Sequence, residues 1–93
     1  MSDVRVDCQP AGDGWSCRVT VAEAGGSTQH EVTVSPAELR RLAAELDDPR
    51  RLVEASFAYL LEREPKESIL RNFAISEIER YFPSYAQEIG ARL

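Results

Sequence analysis

The sequence has little lysine, histidine and cysteine, and each shortage narrows the chemistry that the chain can perform. Among 93 residues there is one lysine, Lys66, one histidine, His30, and two cysteines, Cys8 and Cys17. Two thiols do not make a structural zinc site, which takes about four ligands, and His30 has no evident catalytic partner beyond Glu23. No glycine-rich loop leads from a strand into a helix, as phosphate-binding motifs require. The sequence therefore predicts no catalytic residues, no metal and no cofactor, in a protein that is not an enzyme.

Long hydrophobic runs are also missing. No stretch approaches the roughly 18 apolar residues of a membrane-spanning helix, and residues 1–5 lack the apolar segment of a signal peptide. We therefore expect one cytoplasmic domain over residues 1–93, without membrane contact. The net charge of −5 disfavours nucleic acid as a partner. The basic residues are nearly all arginine, a bias that indicates a GC-rich bacterial genome.

Three segments alternate apolar and polar residues with a period of two, which is typical of half-buried strands. They span residues 3–8, 15–21 and 31–34, and glycine-containing turns separate them at 10–14 and 25–27. The sequence predicts a three-stranded antiparallel β-meander in which strands 1 and 3 are open edges. The predicted cross-strand pairs are Val4–Val21, Val6–Val19 and Cys8–Cys17 in the first hairpin, and Val21–Val32 and Val19–Val34 in the second. These pairs put the strand valines and both cysteines on one face, and they place His30 opposite Glu23.

Helix signatures follow the strands. Ser35 and Glu38 have the spacing of a capping box with a proline at the first helical position. Asp48 begins a second, more apolar helix that we expect to reach Glu64. A short helix should follow over 66–73 with Ile69, Leu70 and Phe73 facing inward. The helical segment beyond it should break at Phe82 because a proline comes next. The predicted fold class is α+β: a β-meander with one face covered by C-terminal helices, βββαα plus short helices.

Cys8 and Cys17 are direct neighbours across the predicted first hairpin. Residues so paired lie about 4.5–5.5 Å apart between Cα atoms, a separation that a disulfide accepts. In a cytosolic protein we expect two reduced thiols that fill the sheet face. A redox-responsive disulfide and half of a metal site are the alternatives.

Two further groups of residues are candidate partner contacts. Four arginines lie near the junction of the first two helices, although acidic residues are as numerous there and favour a solvated, charge-balanced face. Tyr81, Phe82 and Tyr85 flank the helix break, where aromatic residues anchor interfaces or close a small core. The four arginines are Arg40, Arg41, Arg50 and Arg51.

Residues 68–82 have the spacing of a helix-turn-helix. A DNA-reading helix needs basic and amide groups that face phosphates and base edges. The exposed positions of the second helix would be Glu77, Glu79 and Arg80, and two of these three would repel phosphate. The composition of this segment therefore disfavours DNA recognition.

The stretch LLEREPKESIL at 60–70, together with Ile78 and YFPSY at 81–85, resembles small bacterial proteins of unknown function. The resemblance covers roughly the C-terminal third and implies no activity. We expect a protein-interaction or accessory module whose partner is another protein or a second copy, bound through an edge strand or the aromatic C-terminal segment. The alternatives are a nucleic-acid-associated regulator that uses 68–82 and a redox-responsive protein that uses Cys8 and Cys17.

Overall fold

Strands occupy the first third of the chain and helices most of the remainder. The computed structural model describes residues 2–93. The strands are β1 (Asp3–Ala11), β2 (Gly14–Glu23), β3 (Gly26–Val34) and β4 (Asn72–Ala74), and the α-helices are α1 (Pro36–Leu42), α2 (Pro49–Leu61), α3 (Ile78–Tyr81) and α4 (Tyr85–Arg92). Two 3₁₀ helices of one turn each, Lys66–Ser68 and Ile75–Glu77, connect α2, β4 and α3. The architecture is α+β, with the meander and C-terminal helices that the sequence predicts.

The first hairpin has the predicted register. Val6 of β1 lies opposite Val19 of β2, and Cys8 lies opposite Cys17. Charged and amide side chains alternate with these residues on the opposite face of β1, which is exposed. The period-two pattern of the sequence therefore identified both the pairing and the buried face.

The second hairpin is displaced by four residues from the predicted register. Its turn lies at 24–25, so that Gly26 pairs with Glu23. Gly26 has a φ of 140°, which residues with a side chain rarely adopt. The predicted pairs Val21–Val32 and Val19–Val34 are replaced by Cys17–Val32 and Trp15–Val34. Because the displacement is an even number of residues, the valines of β3 still face the core.

A fourth strand, β4, lies beside β3 and parallel to it, which gives the order β1-β2-β3-β4. The predicted helix over 66–73 is therefore wrong beyond its first turn. Phe73 of β4 pairs with Val32 and is buried in the core. β4 also covers β3 at 31–33, so β3 is not the open edge that the sequence predicts.

The helix starts agree with the sequence. The Ser35 hydroxyl accepts a hydrogen bond from the N–H of Glu38 at 3.0 Å, and the Glu38 carboxylate accepts one from the N–H of Ser35 at 2.8 Å. Asp48 accepts a bond from the N–H of Arg50 at 3.0 Å and begins α2, which ends at Leu61, earlier than predicted. These caps satisfy backbone donors that the first turn of a helix leaves unpaired.

The core lies between the covered face of the sheet and the helices. α2 contributes four fully buried side chains to the hydrophobic core, Leu52, Val53, Phe57 and Tyr59. The break predicted at Phe82 is confirmed, since α3 ends just before it, and α4 then packs Ile89 into the core. No helix among residues 2–93 has the length and apolar content needed to cross a membrane.

Candidate functional site

Two large apolar side chains are exposed among residues 2–93, and both line the same groove. Leu70, just before β4, is 45% exposed, and Tyr81, at the end of α3, is 64% exposed. The groove lies between the end of α2, the segment 68–73 and α3, and we call it the α2–α3 groove. Its apolar lining consists of Leu60, Leu70, Phe73, Ile78, Tyr81 and Phe82. Its volume is about 150 Å³.

Two carboxylates add negative charge to this apolar lining. Glu64 lies beyond the end of α2, and burial raises the pKa of its carboxyl above the usual value. Glu77 accepts a hydrogen bond from the backbone N–H of Ala74 at 2.8 Å and so has a structural role as well. The groove therefore combines an apolar interior with acidic character.

His30 holds the segment that carries Leu70. Its Nδ1 lies 2.8 Å from the carbonyl oxygen of Leu70, and its Nε2 lies 2.9 Å from the hydroxyl of Thr28. A carbonyl oxygen can only accept, so Nδ1 carries a proton and donates it to Leu70, while Nε2 shares a hydrogen bond with the Thr28 hydroxyl. The ring is 1% exposed and packs at 5.3 Å from the ring of Phe57. His30 pairs with Val19 of β2, so its predicted position opposite Glu23 is wrong.

Lys66 anchors the other end of the same segment. Its side chain is 7% exposed, and its Nζ lies 3.0 Å from the carboxylate of Glu23 and 2.6 Å from that of Glu67. Hydrogen bonds to Glu67 and Glu23 raise the pKa of Lys66, so the ammonium stays charged. The sole lysine of the chain thus ties the end of β2 to the start of the segment that forms one wall of the groove.

α1 positions α3 on the other side of the groove. Arg41 forms an ion pair with Glu79 of α3 at 2.6 Å. Glu38 accepts a hydrogen bond from the N–H of Ser76 at 3.2 Å, besides the one it accepts from Ser35. Burial acts to raise the pKa of Glu38, but the hydrogen bonds from Ser76 and Ser35 outweigh it and lower the pKa. The capping residue of α1 therefore also fixes the turn that leads into α3.

The predicted partner contacts are divided between surface and core. Tyr81 and Phe82 line the α2–α3 groove. Tyr85 is fully buried and bonds the hydroxyl of Ser56 at 2.6 Å, so the prediction of a partner contact is wrong for Tyr85. The four arginines are exposed, in the last turn of α1 (Arg40, Arg41) and the first turn of α2 (Arg50, Arg51), and none of them lines the groove.

The segment 68–82 does not form two helices. It contains the extended strand β4, a 3₁₀ turn and the four-residue α3. The predicted helix-turn-helix geometry is therefore wrong, because residues 72–74 pair with β3 instead of continuing a helix.

Cys8 and Cys17 form a disulfide, which replaces the expected pair of reduced thiols. Their Cα atoms are 3.9 Å apart across the first hairpin. Cys17 is fully buried, whereas Cys8 on the outer strand is half-buried. Within residues 2–93, no three histidine, cysteine, aspartate or glutamate side chains come together as metal ligands would.

Sequence reasoning missed the groove because it assigned Leu70 to the inner face of a helix. Ile69 and Leu70 are adjacent, and in an extended segment adjacent side chains point in opposite directions. Ile69 is buried and Leu70 exposed, as that geometry requires. Comparisons of the chain with protein-family models, curated proteins and solved structures found no match.

Proposed function

We propose that this protein is a protein-interaction module and that the α2–α3 groove receives an apolar side chain of a partner polypeptide. The observation that carries the proposal is that Leu70 and Tyr81, exposed in spite of their apolar character, line one concave apolar site. A concave apolar site with a few polar groups is typical of a binding site, and exposed apolar patches often mark contacts. A partner that covers these two side chains would remove their apolar surface from water.

The size and charge of the groove define the partner segment. A cavity of about 150 Å³ accepts a benzene ring in an engineered protein, so the groove has room for one aromatic or branched aliphatic side chain. A cation beside Glu64 would stabilise the carboxylate that burial destabilises. We therefore expect the partner to carry an aromatic or branched aliphatic residue next to a lysine or arginine.

The proposal assigns no catalytic step to the groove. Of its two carboxylates, Glu77 is engaged by the N–H of Ala74, which supports a structural role. The other groove residues are mainly apolar, which suits binding by shape and burial. We place the module in a bacterial cytoplasm on the basis of the sequence composition.

A second candidate function, a redox-responsive protein, is favoured by the disulfide between Cys8 and Cys17. The cytoplasm keeps most thiols reduced, so the bond would form there under oxidation. The sulfur of Cys8, the half-buried residue of the pair, would then be the point of attack for a reducing thiol. Labelling of free thiols before and after mild oxidation tests this candidate, and equal labelling of both cysteines in both states would remove it.

Selection from a displayed library of random peptides tests the groove. Peptides selected on the full chain should share an aromatic or branched aliphatic residue beside a lysine or arginine. Their binding should weaken at least tenfold when the groove variant Leu70→Ser/Tyr81→Ser replaces the wild type. Both positions are exposed, so the substitutions should leave the fold intact. Peptides that bind this variant as tightly as the wild type would contradict the proposal.

Matched variants separate the groove from general surface effects. Glu64→Gln should reduce the preference for a basic residue in the selected peptides, because it removes the acidic group beside the apolar site. Glu45→Gln, at an exposed position after α1, makes the same change of charge outside the groove and should leave the preference unaltered. Ala58→Ser adds a hydroxyl on the exposed side of α2, outside the groove, and is the control for the two serine substitutions of the groove variant.

A further inference from the structure

β1 is the longest open edge of the sheet. It has nine residues, and among residues 2–93 its only strand partner is β2. The opposite edge is β4, which has three residues. An open strand exposes a row of backbone N–H and C=O groups that another strand can pair with.

The position of Pro10 shows which of these groups point outward. Pro10 pairs with Trp15, and proline has no N–H to donate to β2. Cys8 and Cys17 have a short Cα separation of 3.9 Å, which is typical of pairs without mutual hydrogen bonds. Along β1, residues that bond to β2 alternate with residues whose N–H and C=O groups point away from it. Both observations place Cys8 and Pro10 among the residues that point away. The N–H and C=O groups of Val4, Val6 and Cys8 therefore point away from the sheet.

We infer that the β1 edge binds the β1 edge of a second copy in antiparallel orientation, around a two-fold axis at Val6. In this register Arg5 of each copy lies opposite Asp7 of the other, which gives two complementary pairs. An axis at Arg5 would instead oppose two arginines and set Asp3 against Asp7. An axis at Asp7 would oppose two aspartates. An axis at Val4 would also set Arg5 against Asp3, but it would pair only residues 3–5 of β1, whereas the axis at Val6 pairs residues 3–9. Charge complementarity and the length of paired strand together therefore select Val6 as the centre.

The charged side chains are available for this pairing. Arg5 lies 3.5 Å from Asp3, but both side chains are highly exposed, at 83% and 67%, so the bond is weak and readily exchanged. The neighbour of Asp7 across the hairpin, Arg18, bonds to Glu31 at 3.1 Å. Arg5 and Asp7 can therefore turn toward a second copy without breaking a buried contact.

The dimer would form one continuous eight-stranded sheet with the helices of both copies on the same face. Val4, Val6 and Cys8 are half-buried on that face in a single copy. In the dimer Val6 would meet Val6 of the second copy, and Val4 would meet Cys8. The interface thus adds apolar contacts to backbone hydrogen bonds. It is separate from the α2–α3 groove and does not depend on the proposed function.

Sedimentation of the full chain between about 10 µM and 1 mM at 0.15 M salt tests this inference. The wild type should show a concentration-dependent dimer. Arg5→Asp and Asp7→Arg should each weaken it about tenfold, because like charges then face each other twice in the dimer. The double variant Arg5→Asp/Asp7→Arg restores both pairs with reversed signs and should return to within about threefold of the wild type.

Two controls carry the same charge changes at exposed positions outside β1: Arg51→Asp on α2 and Asp13→Arg in the first turn. They should leave the dimer unchanged. Because Asp7→Arg places an arginine opposite Arg18, circular dichroism of each variant checks that it is folded. Mixing the two single variants should also produce a heterodimer from two weakly associating chains. A strict monomer at 1 mM, or a dimer whose affinity does not change when the charge of Arg5 or of Asp7 is reversed, would overturn the inference.

Discussion

Replacement of tyrosine by phenylalanine should change the free energy of unfolding in opposite directions at Tyr59 and Tyr85. Both side chains are fully buried, and their rings pack edge to face at 5.4 Å. The Tyr85 hydroxyl bonds Ser56 at 2.6 Å, whereas the Tyr59 hydroxyl has no hydrogen-bond partner among residues 2–93. An unpaired buried polar group costs about 1–3 kcal/mol. Replacing tyrosine by phenylalanine removes only the hydroxyl, so it isolates this difference.

We expect Tyr59→Phe to raise the free energy of unfolding by about 1 kcal/mol, at the low end of the cost of an unpaired polar group. The Arg63 guanidinium, 3.6 Å from the centre of the Tyr59 ring, should still pack on phenylalanine. Tyr85→Phe should lower the free energy of unfolding by about 1 kcal/mol, the net value of a typical hydrogen bond. Ser56 keeps its bond to the carbonyl of Leu52 at 2.7 Å, which limits that loss.

Urea unfolding measures the free energy of unfolding of both variants. Circular dichroism and the fluorescence of Trp15, the only tryptophan, monitor the transition. For a domain of this size, about 1 kcal/mol corresponds to a change of about 4–8 °C in Tm, so thermal unfolding gives an independent measurement. Equal destabilisation by the two substitutions would contradict the prediction, because it would mean that the Tyr59 hydroxyl has a partner such as a buried water molecule.

Three further predictions concern the groups that hold the sheet and the groove in place. The pKa of Glu38 is lowered in the folded protein, so its carboxylate contributes stability at pH values above the pKa of the unfolded chain, and this stability is lost as the pH falls. Glu38→Gln should therefore reduce the fall in stability between pH 6 and pH 3. Equal pH slopes of the unfolding free energy for the variant and the wild type would contradict this. His30→Phe should cost about 2 kcal/mol in urea unfolding, since the Leu70 carbonyl loses its ring donor, and a neutral effect would argue against the assigned bond. Reduction of the disulfide between Cys8 and Cys17 should lower the unfolding free energy by about 2–3 kcal/mol for so short a loop. Unfolding with and without dithiothreitol measures that loss, and identical curves would contradict it.

The sequence alone was sufficient to predict those parts of the fold that local chemistry determines. The alternation along β1 and β2 predicted the pairing of Val6 with Val19, because a slip by one residue would turn every valine to water. The capping box at Ser35 and the break at Phe82 depend on neighbouring residues alone and were equally readable.

The sequence was insufficient where tertiary contacts decide. The second hairpin has adjacent glycines at its turn and at the first position of β3, and both candidate registers keep the valines on one face, so the hydrophobic pattern does not distinguish them. β4 is too short for a periodic pattern and forms because β3 offers an unpaired edge. The α2–α3 groove depends on β4, since the strand turns Leu70 outward and buries Phe73. For the same reason the residues of the groove were not recognisable as a group.

Nuclear magnetic resonance can show which residues of the protein a bound peptide contacts. A peptide selected on the wild type would be titrated into ¹⁵N-labelled protein, and the backbone amide shifts would be followed. We expect the largest changes at Leu70, Phe73, Ile78 and Tyr81, and we expect them to disappear with Leu70→Ser/Tyr81→Ser. Changes centred on β1 or on the arginines of α1 and α2, with none in the α2–α3 groove, would contradict it.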